Sequence, residues 1–270
     1  MPAEMRRLLL PLLLATGMAS ASPPTQAAVL VHAAGSLREA FTGIAQRWEQ
    51  QGGEPVILSF GASGLLRERL QKGEPAMVFA SADTEHPARL AATGAWTTPQ
   101  VFARNALCAL AAPGLALDPD TLLAAMLRPG LRLGTSTPLA DPSGDYAWEV
   151  FRKAERLQPG AYAVLEGKAL KLTGAADSPR PPAGRTAYTW LMETRQADLF
   201  LTYCTNAAAS QRELPVLGVV QLPAGLQVGA AYALTVRADA PEAARAFAAF
   251  VLGPQGQDVL RSAGFKAPGP

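Results

Sequence analysis

Histidine and cysteine are close to absent from this chain of 270 residues, which has only His32, His86, Cys108 and Cys204. Neither histidine stands at a metal-ligand spacing and the cysteines form no Cys-x-x-Cys, so nothing here supports metal catalysis. Charge is sparse as well. Only 17% of residues are charged, 24 basic against 22 acidic, and no run of like charges reaches four. A stripe for DNA or RNA is therefore not expected. No G-x-G-x-x-G or Walker loop occurs, which leaves nucleotide chemistry without support. No stretch repeats at a fixed period, which argues against solenoids and propellers. What is abundant is apolar character: 49% of residues are hydrophobic, with four Trp, nine Phe and five Tyr. Such a chain is not wholly disordered. Its length suits one large domain or two lobes of about 100–150 residues each.

The first residues read as an address. Arg6 and Arg7 precede the apolar run Leu8 to Ala15, and Ala19-Ser20-Ala21 supplies an A-x-A site. That order is the pattern of a secretory signal peptide, expected over residues 1–27 with cleavage after about 21 or 27. The run is too short for a membrane span of about 20 residues, and Pro11 interrupts it. No Cys follows it, so a lipid anchor through an N-terminal Cys is excluded, and no later segment is long and apolar enough to span a bilayer. Export permits Cys108 and Cys204 to oxidise, but their spacing leaves two buried thiols and one disulfide equally open.

Beyond residue 27 the chain alternates. Ala28 to Val31 reads as a buried strand, and Ala33-Ala34-Gly35-Ser36 leads from it into a helix. The apolar positions Leu37, Ala40, Phe41, Ile44, Ala45 and Trp48 keep helical spacing. Ser36 with Glu39 predicts a capping box, which would put Ser36 at the N-cap. Val56 to Phe60 is a second strand, running through Gly61-Ala62-Ser63-Gly64 into a helix from Leu65. Met77 to Ala80 is a third, followed by Ser81-Ala82-Asp83. Further strands are expected at 106–111, 131–134, 198–203 and 230–236. Helices are expected after the loop Pro138 to Gly144, near Arg185 or Thr186, over Pro241 to Leu252, and after Gly253. Strand–helix alternation implies parallel sheets flanked by helices. The predicted division is 28–104 with 229–270 as lobe I and 105–228 as lobe II, the second inserted into the first.

Ser36 and Ser63 follow strand ends and precede helices. Such a turn aims backbone N–H groups and a hydroxyl at one point, with the positive end of a helix dipole behind them. A single case is ordinarily just a cap. Two on neighbouring parallel strands converge at the carboxyl edge, where open α/β folds bind ligands, and they make a site for an anion. Helix starts near Ser143 and near Arg185 lie in the other lobe and would add donors.

The successive motifs Ala33-Ala34-Gly35-Ser36-Leu37, Ser59-Phe60-Gly61-Ala62-Ser63-Gly64 and Phe79-Ala80-Ser81-Ala82-Asp83 resemble those of the periplasmic molybdate-binding proteins of ABC transporters. Thr202-Tyr203-Cys204-Thr205-Asn206-Ala207 is similar to that family's tyrosine motif, and Gly253-Pro254-Gln255-Gly256 to its C-terminal turn. The resemblance implies an α/β two-lobe periplasmic binding protein of type II, with the ligand between the lobes. It implies that Ser36 and Ser63 hold a molybdate or tungstate oxyanion by hydroxyl and N–H, that Tyr203 donates its phenol, and that backbone near Ser143 and Arg185 completes the cage. The metal atom would be met only through its oxygens, and no further cofactor is implied. It also implies a monomer in the periplasm, a transport role rather than an enzyme's, and a membrane permease with a cytoplasmic ATPase as partner. Three positions depart from the pattern. Met77 stands where an acid is usual, Asn206 where Asp is common, and Arg185 where an apolar residue is more frequent. Arg185 opens an alternative ligand, a sulfate-like anion or a planar carboxylate gripped by the guanidinium.

An enzyme reading has a weaker basis. Gly61-Ala62-Ser63-Gly64 is one residue away from a G-x-S-x-G nucleophile elbow, Leu65 replacing the second Gly, and His32 lies near Ser36. A serine hydrolase is the remote alternative. A histidine closing a buried strand is more often packed or hydrogen-bonded within the fold.

Overall fold

The computed structural model describes residues 28–269; the expected leader at 1–27 lies outside the described residues. In chain order the first lobe begins with β1 (Val29–Ala34), α1 (Arg38–Gln50), β2 (Val56–Gly61), α2 (Ser63–Gln71), β3 (Val78–Ser81), α3 (Glu85–Ala91) and β4 (Gln100–Ala111). The chain continues through α4 (Pro119–Leu127), β5 (Leu133–Ser136), α5 (Pro142–Leu157), α6 (Ala161–Lys168), β6 (Leu170–Thr173), α7 (Ala187–Glu193), β7 (Leu199–Tyr203), α8 (Cys204–Glu213) and β8 (Gly218–Gln221). It returns through β9 (Gly229–Val236), α9 (Glu242–Leu252) and α10 (Pro254–Ser262). The short elements α4, α6, β6 and β8 were not expected from the sequence. Each is no longer than nine residues, too few for a clear period.

Strand order along the sheet is β2-β1-β3-β9-β4-β7-β5-β6, with β8 also on β4. The strands β2, β1 and β3 run parallel, as do β7, β5 and β6. The ladders turn antiparallel where β9 and β4 join them. The strand β4 carries the chain from one lobe to the next. Its residues up to Ala106 pair with β9, and from Leu107 onward it pairs with β7 and β8. A strand buried on both faces reads as an unbroken apolar run, which is why β1 and β3 were legible.

Register decides what meets at the sheet edge. Ala34 lies opposite Gly61, and Ala33 opposite Ala80. The turns bearing Ser36, Ser63 and Ala82 therefore leave three adjacent strands side by side. In the second lobe Ser136 lies opposite Thr173, and Leu133 opposite Leu199. That sets the ends of β5, β6 and β7 together facing the first set.

The cysteines are joined. Cys108 and Cys204 form a disulfide with Cα atoms 4.8 Å apart. Cys108 stands opposite Thr202 in the β4–β7 ladder, two residues from Cys204, so pairing follows from register rather than from sequence distance. One local expectation fails. Ser36 is not an N-cap; it sits within a short 3-10 turn, Gly35–Leu37, ahead of α1. No side chain caps α1, and the Glu39 carboxylate instead accepts a hydrogen bond from Arg212 at 2.6 Å. The serine hydroxyl is thereby released for other partners.

Candidate ligand-binding cleft

A cavity of about 680 Å3 lies where the two sets of strand ends face each other. Ser36, Ser63 and Ala82 line it from the first lobe, and Asp141, Thr186, Tyr188 and Tyr203 from the second. Of the residues singled out in the sequence, Ser36, Ser63, Tyr203 and Arg185 are brought to this cavity. Ser143 is not among its lining residues: it is fully buried in the first turn of α5, and its N–H donates to the Asp141 carboxylate at 3.1 Å.

Each serine is held by a neighbour. The Ser36 hydroxyl shares a hydrogen bond of 3.0 Å with the Tyr232 phenol. The Ser63 hydroxyl accepts from the Ala82 N–H at 3.1 Å, and the residue is 1% exposed. Ser63 opens α2, where the Gly64 N–H is taken by the Ala140 carbonyl at 2.9 Å and the Leu66 N–H by the Ala62 carbonyl at 3.0 Å, while the positive end of the helix dipole still favours an anion. Tyr203 ends β7 and is buried, its phenol 3.5 Å from the Ala82 carbonyl. Burial raises the Tyr203 phenol well above its usual range, and the neighbouring Tyr232 adds to this, so it remains a donor at neutral pH. Its ring meets that of Tyr232 edge-on at 5.4 Å. Asn105 ties this cluster together, donating to Thr205 at 2.9 Å and to the Tyr232 phenol at 3.5 Å.

Arg185 reaches the cavity wall with its charge already engaged. Its guanidinium bonds the Glu193 carboxylate and lies 3.1 Å from Glu213. Glu213 also accepts from the Thr186 N–H at 3.2 Å and from the Thr189 hydroxyl at 3.0 Å. Arg185 thus neutralises two acids beside the start of α7 rather than presenting a free fork. The lining cation without a carboxylate partner among the described residues is Arg38, which stacks 4.5 Å over the Phe60 ring.

Sequence reasoning missed Asp141, Tyr188, Tyr232 and Arg38. Asp141 was visible in principle, because Asp-Pro is an N-cap followed by proline at N1. Tyr232 stands in an ordinary apolar strand and carried no local signal. Histidine chemistry is engaged elsewhere. His32 is buried and its Nε2 bonds the Glu74 carboxylate at 2.8 Å, so it does not pair with a serine. Among the described residues no group of three or more His, Cys, Asp or Glu could hold a metal ion.

Two α/β lobes joined by crossing strands, with a cleft between them, define the fold of the type II periplasmic binding class. The chain belongs to the family described as bacterial extracellular solute-binding protein, which it matches over residues 29–266. That family comprises transport binding proteins rather than enzymes. The chain is 38% identical over 234 residues to the uncharacterized protein PM1146 of Pasteurella multocida, covering 86% of this chain and 96% of that one. It is 30% identical over 257 residues to the molybdate-binding protein ModA of Mycobacterium bovis, covering 92% and 89%. Among solved structures, the sulfate-binding protein SubI of Mycobacterium tuberculosis superposes with a TM-score of 0.72 at 22% identity, covering 90% and 88%. Among the described residues no helix is long and apolar enough to cross a membrane.

Proposed function

We propose that this protein captures a small tetrahedral oxyanion, molybdate or tungstate, in the periplasm and delivers it to an ABC permease driven by a cytoplasmic ATPase. The observation that carries the reading is the meeting of Ser36, Ser63 and Tyr203 from three strand ends at one cavity. Neutral donors suit a fully ionised oxyanion, since hydrogen bonds to a charged group contribute roughly 1.5–3 kcal/mol each. The relative from Mycobacterium bovis bears a molybdate-binding name, which supports the same ligand. Residues 28–104 with 229–270 would form lobe I and 105–228 lobe II, and residues 1–27 would be removed on export. A carboxylate ligand gripped by Arg185 is the weaker reading, because Glu193 and Glu213 already hold that guanidinium. Hydrolysis is weaker still, since Ser63 is engaged by a backbone amide and His32 by Glu74.

A thermal-shift panel of anions tests the assignment, because a ligand that binds only the folded state raises Tm. Molybdate and tungstate, nearly equal in size, should stabilise alike. Sulfate is smaller and cannot reach every donor, so it should bind at least about tenfold more weakly, a donor left unpaired costing about 1–3 kcal/mol. A larger shift with sulfate or a carboxylate would overturn the ligand while leaving the binding fold.

A further inference from the structure

Asp141 is the anomaly in a cavity built for anions. The residue lines the space shared with Ser36, Ser63 and Tyr203, and no cation forms an ion pair with its carboxyl among the described residues. The groups that act on it from each neighbouring element are hydroxyls and acids. The Ser136 hydroxyl at the end of β5, itself bonded to Thr173 at 2.9 Å, favours its ionised form, and Asp145 from α5 and Asp83 from the first lobe repel its charge. Tyr188 from α7 and Tyr203 from β7 feel that charge in turn. On Gly174, just beyond β6, a Cβ would come 3.0 Å from Asp141 Oδ2, so the carboxyl is closely enclosed. One carboxylate oxygen accepts the Ser143 N–H at 3.1 Å, a donor at the start of α5 of the kind that would otherwise face a bound anion. The Ser143 hydroxyl beside it is buried and has no hydrogen-bond partner among the described residues.

We propose that Asp141 is a proton-operated contact for the ligand: ionised, it holds the α5 donor and repels a dianion, and protonated, it releases that donor and gives its own O–H to a ligand oxygen. The inference rests on the oxyanion reading above. Each dianion bound then brings one proton from solution onto Asp141, because two unpaired negative charges cannot share an enclosed site. Linkage requires the effect to be reciprocal, the anion raising the affinity for the proton as much as the proton raises that for the anion. Burial already lifts the Asp141 carboxyl to about 6 before any ligand arrives, partly offset by the Ser143 N–H bond and the nearby Ser136 hydroxyl. Above that pH the free protein is ionised at Asp141 and binding must take up the proton. His86, a buried histidine facing Asp83 and Asp145, is displaced downward, chiefly by burial, and stays neutral at pH 7–8, and buried His32 is engaged by Glu74.

The test is titration calorimetry of the whole exported protein with sodium molybdate, in two buffers of unlike ionisation enthalpy. Proton uptake approaching one per anion is expected at pH 7.5, with Kd rising by about tenfold per pH unit between pH 7 and 8. In Asp141→Asn the carboxamide keeps an acceptor for the Ser143 N–H and does not titrate, so uptake should vanish and Kd should become flat with pH. Binding by the native protein with equal heats in both buffers and a flat Kd overturns the inference and leaves the oxyanion reading intact. No binding of molybdate, tungstate or sulfate by the native protein overturns both.

Discussion

Gly64 and Ala140 meet across the cleft, the Gly64 N–H donating to the Ala140 carbonyl at 2.9 Å. Gly64 is the second residue of α2, and Ala140 directly precedes the N-cap of α5. A Cβ on Gly64 would lie 2.5 Å from the Leu139 carbonyl oxygen and 2.8 Å from that of Ala140. These are backbone atoms and cannot swing aside, so the approach of the lobes requires glycine here.

Gly64→Ala should therefore obstruct closure without unfolding either lobe. Oxyanion affinity is expected to fall by about tenfold or more, the equivalent of about 1.4 kcal/mol, while Tm without ligand stays within a few degrees of the native value. Calorimetry reads the first, and small-angle scattering should show that ligand no longer compacts the protein. Unchanged affinity would mean that the lobes bind without this contact.

Ser36→Ala and Ser63→Ala should each weaken the oxyanion by about tenfold, one lost hydrogen bond to a charged group apiece. The two differ in what else they disturb. Ser63→Ala also leaves the Ala82 N–H without its acceptor, so its melting temperature should fall further than that of Ser36→Ala, whose lost partner is the Tyr232 phenol. Calorimetry showing native binding in the double variant would remove both from the site.

Arg185→Ala is expected to act through charge balance rather than through a lost ligand contact. With the guanidinium gone, Glu193 and Glu213 stand unneutralised beside the cavity. Anions should bind about threefold to tenfold more weakly, dianions more affected than monoanions, with the difference shrinking as salt screens the charges. A loss confined to planar carboxylates, insensitive to salt, would instead show a direct bidentate grip.

The sequence carried the frame of the fold more clearly than its contacts. Val78–Ala80 is buried on both faces, and Val29–Val31 is buried except for the half-buried Leu30. Such strands announce themselves by unbroken apolar character. Ser36 and Ser63 could be placed together because register follows from adjacent parallel strands joined by helices. The Ser36–Glu39 capping box misled because its residues have long-range partners, Tyr232 and Arg212, that no local pattern reveals. Tyr232 itself lies 196 residues from Ser36. Asp141 shows the same limit in another form: its N-cap role is local, but its position in the cavity depends on how the lobes meet.

The Cys108–Cys204 disulfide closes a loop of 96 residues and fixes the start of α8 directly after Tyr203. A crosslink over a loop of that length stabilises mainly by restricting the unfolded chain, by about 2–5 kcal/mol. Two effects should separate on its removal. Cys108→Ala with Cys204→Ala should lower Tm by several degrees, since Cys108 is wholly buried in the second-lobe core and alanine leaves space around it. The ligand site should suffer less than the fold. Tyr203 is still held by the β4–β7 ladder, where it lies opposite Leu107, and by its ring contacts with Tyr146 and Tyr232. Oxyanion affinity measured well below the melting range should therefore stay within about threefold of native. The disulfide also ties folding to compartment, because thiols remain reduced in the cytosol. Protein recovered from the periplasm should show no reactive thiol on alkylation under denaturing conditions, and protein retained in the cytosol should show two and melt lower. Equal Tm for the two preparations would show that the bond contributes nothing to stability, and a collapse of affinity in the double variant would show that it positions Tyr203.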